Sequence, residues 1–157
     1  MREEPLDALD RLYFGRYAED LSDLIERQSA EVFRQAGLIV PVKSCSLLAA
    51  VAAHGPANMT DLAQRLGRSH QLVQQKIPKL VALKVASRAQ SPEEARSVLI
   101  AITDEGRRQL AILATLRPAF ERAYAELERE VGPVLDLIRK SSQSLTQRPL
   151  AARMGPA

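Results

Sequence analysis

Apolar residues recur three or four positions apart over most of the chain, a spacing that places them on one face of a helix. The first such stretch is amphipathic and ends at Gly37, and the next is apolar on nearly every side, as in a buried helix. Two further stretches near the C-terminus are separated by the helix-breaking pair Gly132 and Pro133. The pattern predicts helices over residues 6–36, 42–53, 104–130 and 133–146.

The stretch between these helices changes period from helical to alternating. Asn58 can cap a short helix that ends at Gly67, where a left-handed backbone favours glycine. Ser69 can cap a second helix, and the segments 85–90 and 97–103 then alternate as the strands of a hairpin do. We therefore expect a mainly α fold with a small β-wing, in the order four helices, two-stranded wing, two helices.

Basic residues are concentrated in this central stretch. The 157-residue chain carries 22 Lys and Arg against 19 Asp and Glu, a net charge of only +3. Residues 62–92, by contrast, hold no acidic residue and six basic ones, namely Arg65, Arg68, Lys76, Lys79, Lys84 and Arg88. A local positive surface of this kind can meet a polyanion although the whole chain is nearly neutral.

The run LAQRLGRSHQLVQQKIPKLVALKVASR at 62–88, followed by SPEEARSVLIAITDEGRR at 91–108, resembles the winged helix-turn-helix of MarR-type transcriptional regulators. The resemblance spans about residues 41–110 and implies double-stranded DNA as the partner. It also implies a homodimer held by the first and the last two helices, with a small aromatic or phenolic effector bound between them and the DNA-binding lobe. The expected parts are a dimerisation helix (1–40), the winged lobe (41–103), dimerisation helices (104–147) and a flexible tail (148–157).

The second helix of the helix-turn-helix is expected to enter the major groove of DNA, where glutamine can donate to and accept from adenine. Expected base contacts are Ser69, His70, Gln71, Gln74 and Gln75, and expected phosphate contacts are Arg65, Arg68 and Lys79. The resemblance implies that a wing arginine, Arg96 or Arg88, enters the minor groove. Glu94 could instead hold Arg96 in an ion pair.

Other candidate sites are few. Tyr13, Phe14, Tyr17 and His54 could line an effector pocket, although packing between helices is the simpler explanation for the aromatic side chains. Cys45 is either a small buried hydrophobe or a redox-sensing thiol, and the second role requires exposure and a lowered pKa. The sequence shows no metal-ligand spacing, nucleophile–base pair, paired carboxylates or phosphate loop, so we expect neither a metal nor a cofactor nor enzymatic activity.

These observations predict a dimeric, sequence-specific DNA-binding transcriptional regulator, a ligand-responsive repressor of a near-palindromic operator. Two alternatives stay open. One is a winged-helix protein-interaction module that has lost DNA binding, which Pro78 inside the second helix favours slightly; the other is a thiol-based regulator acting through Cys45. The sequence begins without a signal peptide and lacks an apolar run long enough to span a membrane, which predicts a cytoplasmic location.

Overall fold

The computed structural model describes residues 10–93 and 97–155, which divide into two compact units, one ending at Ala114 and the other beginning at Thr115. The helices are α1 (Phe14–Gln35), α2 (Cys45–His54), α3 (Met59–Leu66), α4 (His70–Ala82), α5 (Asp104–Val131), α6 (Val134–Gln147) and α7 (Leu150–Arg153), and the strands are β1 (Ala86–Gln90) and β2 (Val98–Ile102). Short 3₁₀ turns at Arg11–Tyr13 and Val42–Ser44 precede α1 and α2. The predicted fold class is confirmed.

Both ends of the chain differ from the predicted boundaries. The first helix begins at Phe14 rather than near residue 6, because the Asp10 carboxylate accepts a hydrogen bond from the Leu12 backbone N–H at 2.9 Å and caps a separate turn. Residues 6–9 of that prediction lie outside the described residues. The tail predicted to be flexible contains α7, whose Arg153 guanidinium donates to the Ser144 carbonyl oxygen at 2.8 Å and to its hydroxyl at 2.7 Å.

The helix-turn-helix forms as its capping residues predict. The Asn58 side chain accepts a hydrogen bond from the Asp61 N–H at 2.9 Å at the start of α3. Gly67 ends that helix in the left-handed conformation, with φ of 58°. The Ser69 hydroxyl then accepts from the Leu72 N–H at 3.2 Å at the start of α4. These local contacts fix where both helices begin and end.

The wing is an antiparallel pair in which Ala86 lies opposite Ile102 and Gln90 opposite Val98. The strands are slightly shorter than predicted. Ile100 of β2 also exchanges two backbone hydrogen bonds with Ala57, of 3.1 and 2.8 Å, just before α3. The wing is therefore attached to the helix-turn-helix through its second strand.

The core of the first unit is aliphatic. Its most buried large side chains include Leu48, Leu62, Val73, Ile77, Leu80, Val85 and Ile100. Gly106, in the first turn of α5, packs so closely on the wing that an added Cβ would lie 2.1 Å from the Val85 carbonyl oxygen. Glycine at this position allows the first turn of α5 to pack directly against Val85, just before β1.

The second unit contains α6, α7 and the C-terminal part of α5, and none of its described residues is buried. The Phe120 and Tyr124 rings stack with their centroids 6.0 Å apart. The Glu128 carboxylate accepts a hydrogen bond from the Leu135 N–H at 3.0 Å and so stabilises the start of α6. Across residues 10–93 and 97–155, no helix is both long and apolar enough to cross a membrane.

Candidate nucleic-acid interface

Helix α4 has one buried face and one exposed face. Val73, Ile77 and Leu80 are buried in the core of the first unit. The exposed face carries Gln71, Gln74, Gln75, Pro78 and Lys79. Because the aliphatic side chains hold the helix by its inner side, amide and ammonium groups project outward. These groups can hydrogen-bond base edges and phosphate oxygens.

The predicted DNA-binding residues share this exposure wherever the structure describes them. The nine exposed residues are Arg65, Arg68, Ser69, His70, Gln71, Gln74, Gln75, Lys79 and Arg88. Arg88 lies in β1 and so places one arginine on the wing. The tenth residue, Arg96, lies outside the described residues together with Glu94, so both the minor-groove contact and the ion pair stay predictions.

Arg65 is oriented by a residue that the sequence analysis assigned elsewhere. Its guanidinium lies 2.8 Å from Nδ1 of His54, the last residue of α2. Because a guanidinium can only donate, the His54 nitrogen accepts this hydrogen bond. His54 therefore contacts a predicted phosphate-binding residue, and its role in an effector pocket stays a prediction.

Two lysines, Lys43 and Lys76, connect α4 with α1 through contacts that the sequence analysis did not predict. The Lys43 ammonium lies 2.8 Å from the carboxylates of Asp23 and Glu26, and hydrogen bonds to these two groups raise its pKa above the ordinary lysine range. Lys76 of α4 donates a hydrogen bond to the Lys43 carbonyl oxygen. The signal in the sequence is a lysine at a position next to the buried Ile77, where the helical period calls for an apolar residue.

Gln109 is the second residue that sequence reasoning did not identify. Its side chain is 2% exposed, and its Oε1 accepts a hydrogen bond from the Ile39 backbone N–H at 2.8 Å. Its Nε2 donates to the Glu105 carboxylate at 2.8 Å. Through these hydrogen bonds, Gln109 holds the segment between α1 and α2 against the first turns of α5.

Pro78 lies inside α4 without ending the helix, which continues to Ala82. A proline lacks the N–H that would bond the carbonyl oxygen of Gln74, four residues earlier. Pro78 is exposed, so water can reach and hydrogen-bond that carbonyl. Helix α4 is intact, and Pro78 gives no structural reason to expect loss of DNA binding.

Comparison with known proteins finds a family similarity in the central part of the chain. Residues 37–97 match the model of the MarR family. This part of the chain is similar to the MarR family. Its flanking helices lie outside the matched residues and are compared through solved structures below.

Solved structures of low identity share the MarR-family fold. They include a probable transcriptional regulator from Pseudomonas aeruginosa (20% identity, TM-score 0.58, covering 76% of this chain and 92% of that chain). PcaV from Streptomyces coelicolor, in complex with its natural ligand, has 20% identity and a TM-score of 0.58 over 88% of this chain and 98% of that chain. FabT from Streptococcus pneumoniae, in complex with DNA, has 15% identity and a TM-score of 0.55 over 88% and 96%. No curated protein sequence matches significantly. The Pseudomonas aeruginosa protein and PcaV are described as transcriptional regulators.

The residues predicted to line an effector pocket do not line either of two cavities in the first unit. One cavity, of about 290 Å³, lies between the end of α1 and residues 37–42, and the other, of about 350 Å³, lies between α1, α2 and α4. Tyr13 and Phe14 are exposed at the start of α1, Tyr17 is half-buried, and His54 contacts Arg65. These four side chains line neither of the two cavities, and the effector pocket stays a prediction.

Cys45 does not meet the conditions for a redox-sensing thiol. It is half-buried, its Sγ contacts the Pro41 carbonyl oxygen at 3.6 Å, and burial raises the pKa of its thiol to about 11. A redox sensor requires the opposite shift, since the thiolate is the reactive form. Within the described residues, no three His, Cys, Asp or Glu side chains are grouped to hold a metal ion.

Proposed function

We propose that this chain is a homodimeric, sequence-specific DNA-binding transcriptional regulator that acts in the cytoplasm as a ligand-responsive repressor of a near-palindromic operator. The observation that carries the proposal is the exposed polar face of α4, with three glutamines and Lys79 on an aliphatic support. Two basic residues lie beside this face: Arg68 in the turn between α3 and α4, and Arg88 on the wing. FabT, which shares the fold, is in complex with DNA.

The dimer is supported by exposed apolar side chains on α1 and α6. On α1 and the turn before it these are Leu12, Tyr13, Phe14, Leu21, Leu24 and Val32, and on α6 they are Leu135, Leu137, Ile138 and Leu145. Clustered apolar exposure of this kind marks an interaction surface. A two-fold dimer would present two α4 helices to successive turns of the duplex, about 34–36 Å apart, and so read a near-palindrome.

Binding to the DNA that flanks its own gene tests this function. The dissociation constant, measured by fluorescence anisotropy at several salt concentrations, should rise steeply with salt because phosphate contacts release counterions. Gln75→Ala should reduce the preference for this DNA over random duplex by about 1–3 kcal/mol, whereas Lys79→Ala should weaken binding to both and lower the salt slope by about 1.

Lys140→Ala is the matched control, since Lys140 is an exposed lysine of α6 that is paired with Asp136. It should leave both the affinity and the salt slope unchanged. A flat salt response, or equal affinity for flanking and random DNA, would contradict the proposal and favour a protein-interaction module.

A further inference from the structure

A proline occupies the centre of the outer face of α4. Helical residues that are three, four or seven positions apart lie on the same side of the helix. Pro78 is four positions after Gln74 and three after Gln75, and it follows Gln71 by two turns. All four residues are exposed, and the buried aliphatic residues occupy the opposite side. Pro78 therefore lies in the middle of the surface proposed to face DNA, not at its border.

The place of Pro78 is not explained by packing within the first unit. Proline is unfavourable inside a helix, because it lacks a backbone N–H and its ring crowds the preceding turn. Pro78 is exposed and is not part of the buried core. Among the exposed residues of α4 only Pro78 and Ala82 are apolar, and both lie on the outer face. A residue that weakens its helix without contributing to the core is typical of a functional surface.

The ring of Pro78 lies beside side chains that suit adenine–thymine pairs. In the major groove, glutamine can bind N6 and N7 of adenine, and apolar side chains contact the C5-methyl group of thymine. Side chains one helical turn apart are separated by about 5–6 Å, and successive base pairs by about 3.4 Å. Pro78 would thus meet a base about one or two base pairs from the one that Gln74 or Gln75 contacts.

We propose that Pro78 recognises a thymine in each half of the operator by packing its ring against the C5-methyl group. The thymine lies about one or two base pairs from an adenine bound by Gln74 or Gln75. Pro78 is then a specificity-determining residue, which distinguishes thymine from cytosine because cytosine has no methyl group at this position. The inference rests on the proposed DNA-binding function and states which base this part of α4 reads.

Uracil tests the contact, because it pairs as thymine does and lacks only the methyl group. The DNA that flanks the gene of this chain is prepared once with thymine and once with uracil, and fluorescence anisotropy gives the affinity of the unmodified chain for each duplex. Uracil should weaken binding about fourfold for each half-site, the factor expected for the burial of one methyl group. Binding to random duplex should not depend on the base. Single replacements should assign the effect to one thymine in each half-site.

Pro78→Ser removes the apolar ring and restores a backbone N–H to α4, so a thermal melt should show a protein at least as stable as the unmodified chain. Its affinity for the thymine duplex should fall to the level that the unmodified chain has for the uracil duplex. Uracil should then cause no further loss, since the two changes remove the same contact. Lys79→Ala is the matched control at the next position, and it should weaken binding to both duplexes by the same factor.

Equal affinity of the unmodified chain for the thymine and uracil duplexes would overturn the contact. An equally large effect of uracil in Pro78→Ser would overturn it as well, because another group would then read the methyl. In both cases, tighter binding to flanking DNA than to random duplex would leave the proposed function intact. If the unmodified chain binds flanking and random DNA equally, the proposed function fails and the thymine contact fails with it.

Discussion

The two units of this chain use the same aliphatic residue types in opposite ways. In the first unit, Leu62, Ile77 and Ile100 are fully buried by elements of the same chain. In the second, Leu137 and Ile138 are more than half exposed, and no described residue is buried. A sequence rich in leucine thus builds a complete core in one place and leaves an apolar surface in the other, and this second surface is the one that the proposed dimer would cover.

The largest expected effect is the loss of core packing in the first unit. Leu62→Ala should lower the free energy of unfolding by about 2–5 kcal/mol, because the cavity left by a fully buried leucine can only partly collapse. Urea unfolding followed by circular dichroism at two protein concentrations gives the value. Leu137→Ala is the matched control, and its smaller effect should disappear when the protein is diluted until the dimer dissociates. Equal losses from the two substitutions would remove the contrast between the units.

A charge on the exposed surface should separate the dimer without unfolding the first unit. Ile138→Glu should weaken dimerisation at least 100-fold, equivalent to about 2.8 kcal/mol, because a two-fold interface would bury two unpaired carboxylates. Sedimentation velocity measures the change. Gln143→Glu, on the opposite side of α6, should leave the dimer intact, and similar dissociation by both variants would place the interface elsewhere.

Gln109 tests how the first unit is held together. Gln109→Met keeps the size of the side chain but leaves the Ile39 N–H without its partner, which should cost about 1–3 kcal/mol of unfolding free energy. Denaturant unfolding provides the measurement, and the oligomeric state should not change. A cost below 0.5 kcal/mol would show that water replaces the glutamine at this junction.

The smallest expected effect is a gain. Lys84 lies between α4 and β1 with φ of 59°, a conformation that is unfavourable for residues other than glycine. Lys84→Gly should raise the free energy of unfolding by about 0.5–1 kcal/mol, since relief of this strain exceeds the extra entropy of the unfolded glycine. A thermal melt would detect the gain, and Lys84→Ala, which keeps the strain, should show none.

Features that depend on neighbouring residues could be predicted from the sequence. The caps at Asn58 and Ser69 and the end of α3 at Gly67 involve contacts over two or three residues, and all three predictions are confirmed. The two strands of the wing could be predicted from the alternation of apolar and polar residues along each segment. The exposed polar face of α4 follows from the helical period, because its buried positions are aliphatic.

Features that depend on distant residues could not be predicted. Gln109 and Ile39 are 70 positions apart, and Lys76 and Lys43 are 33 apart, so neither contact has a local signature. The same holds for His54, which the sequence placed near an effector and the structure places on Arg65. In each case a polar side chain is positioned by tertiary packing, which periodicity does not specify.

The contrast between the units is tested most directly by sedimentation equilibrium of the unmodified chain. At micromolar concentration we predict a mass twice that of the 17.3 kDa chain, since the proposed dimer covers the exposed face of α6 with a second copy. A single species of 17.3 kDa throughout the concentration range would contradict the dimer and, with it, the paired reading of DNA.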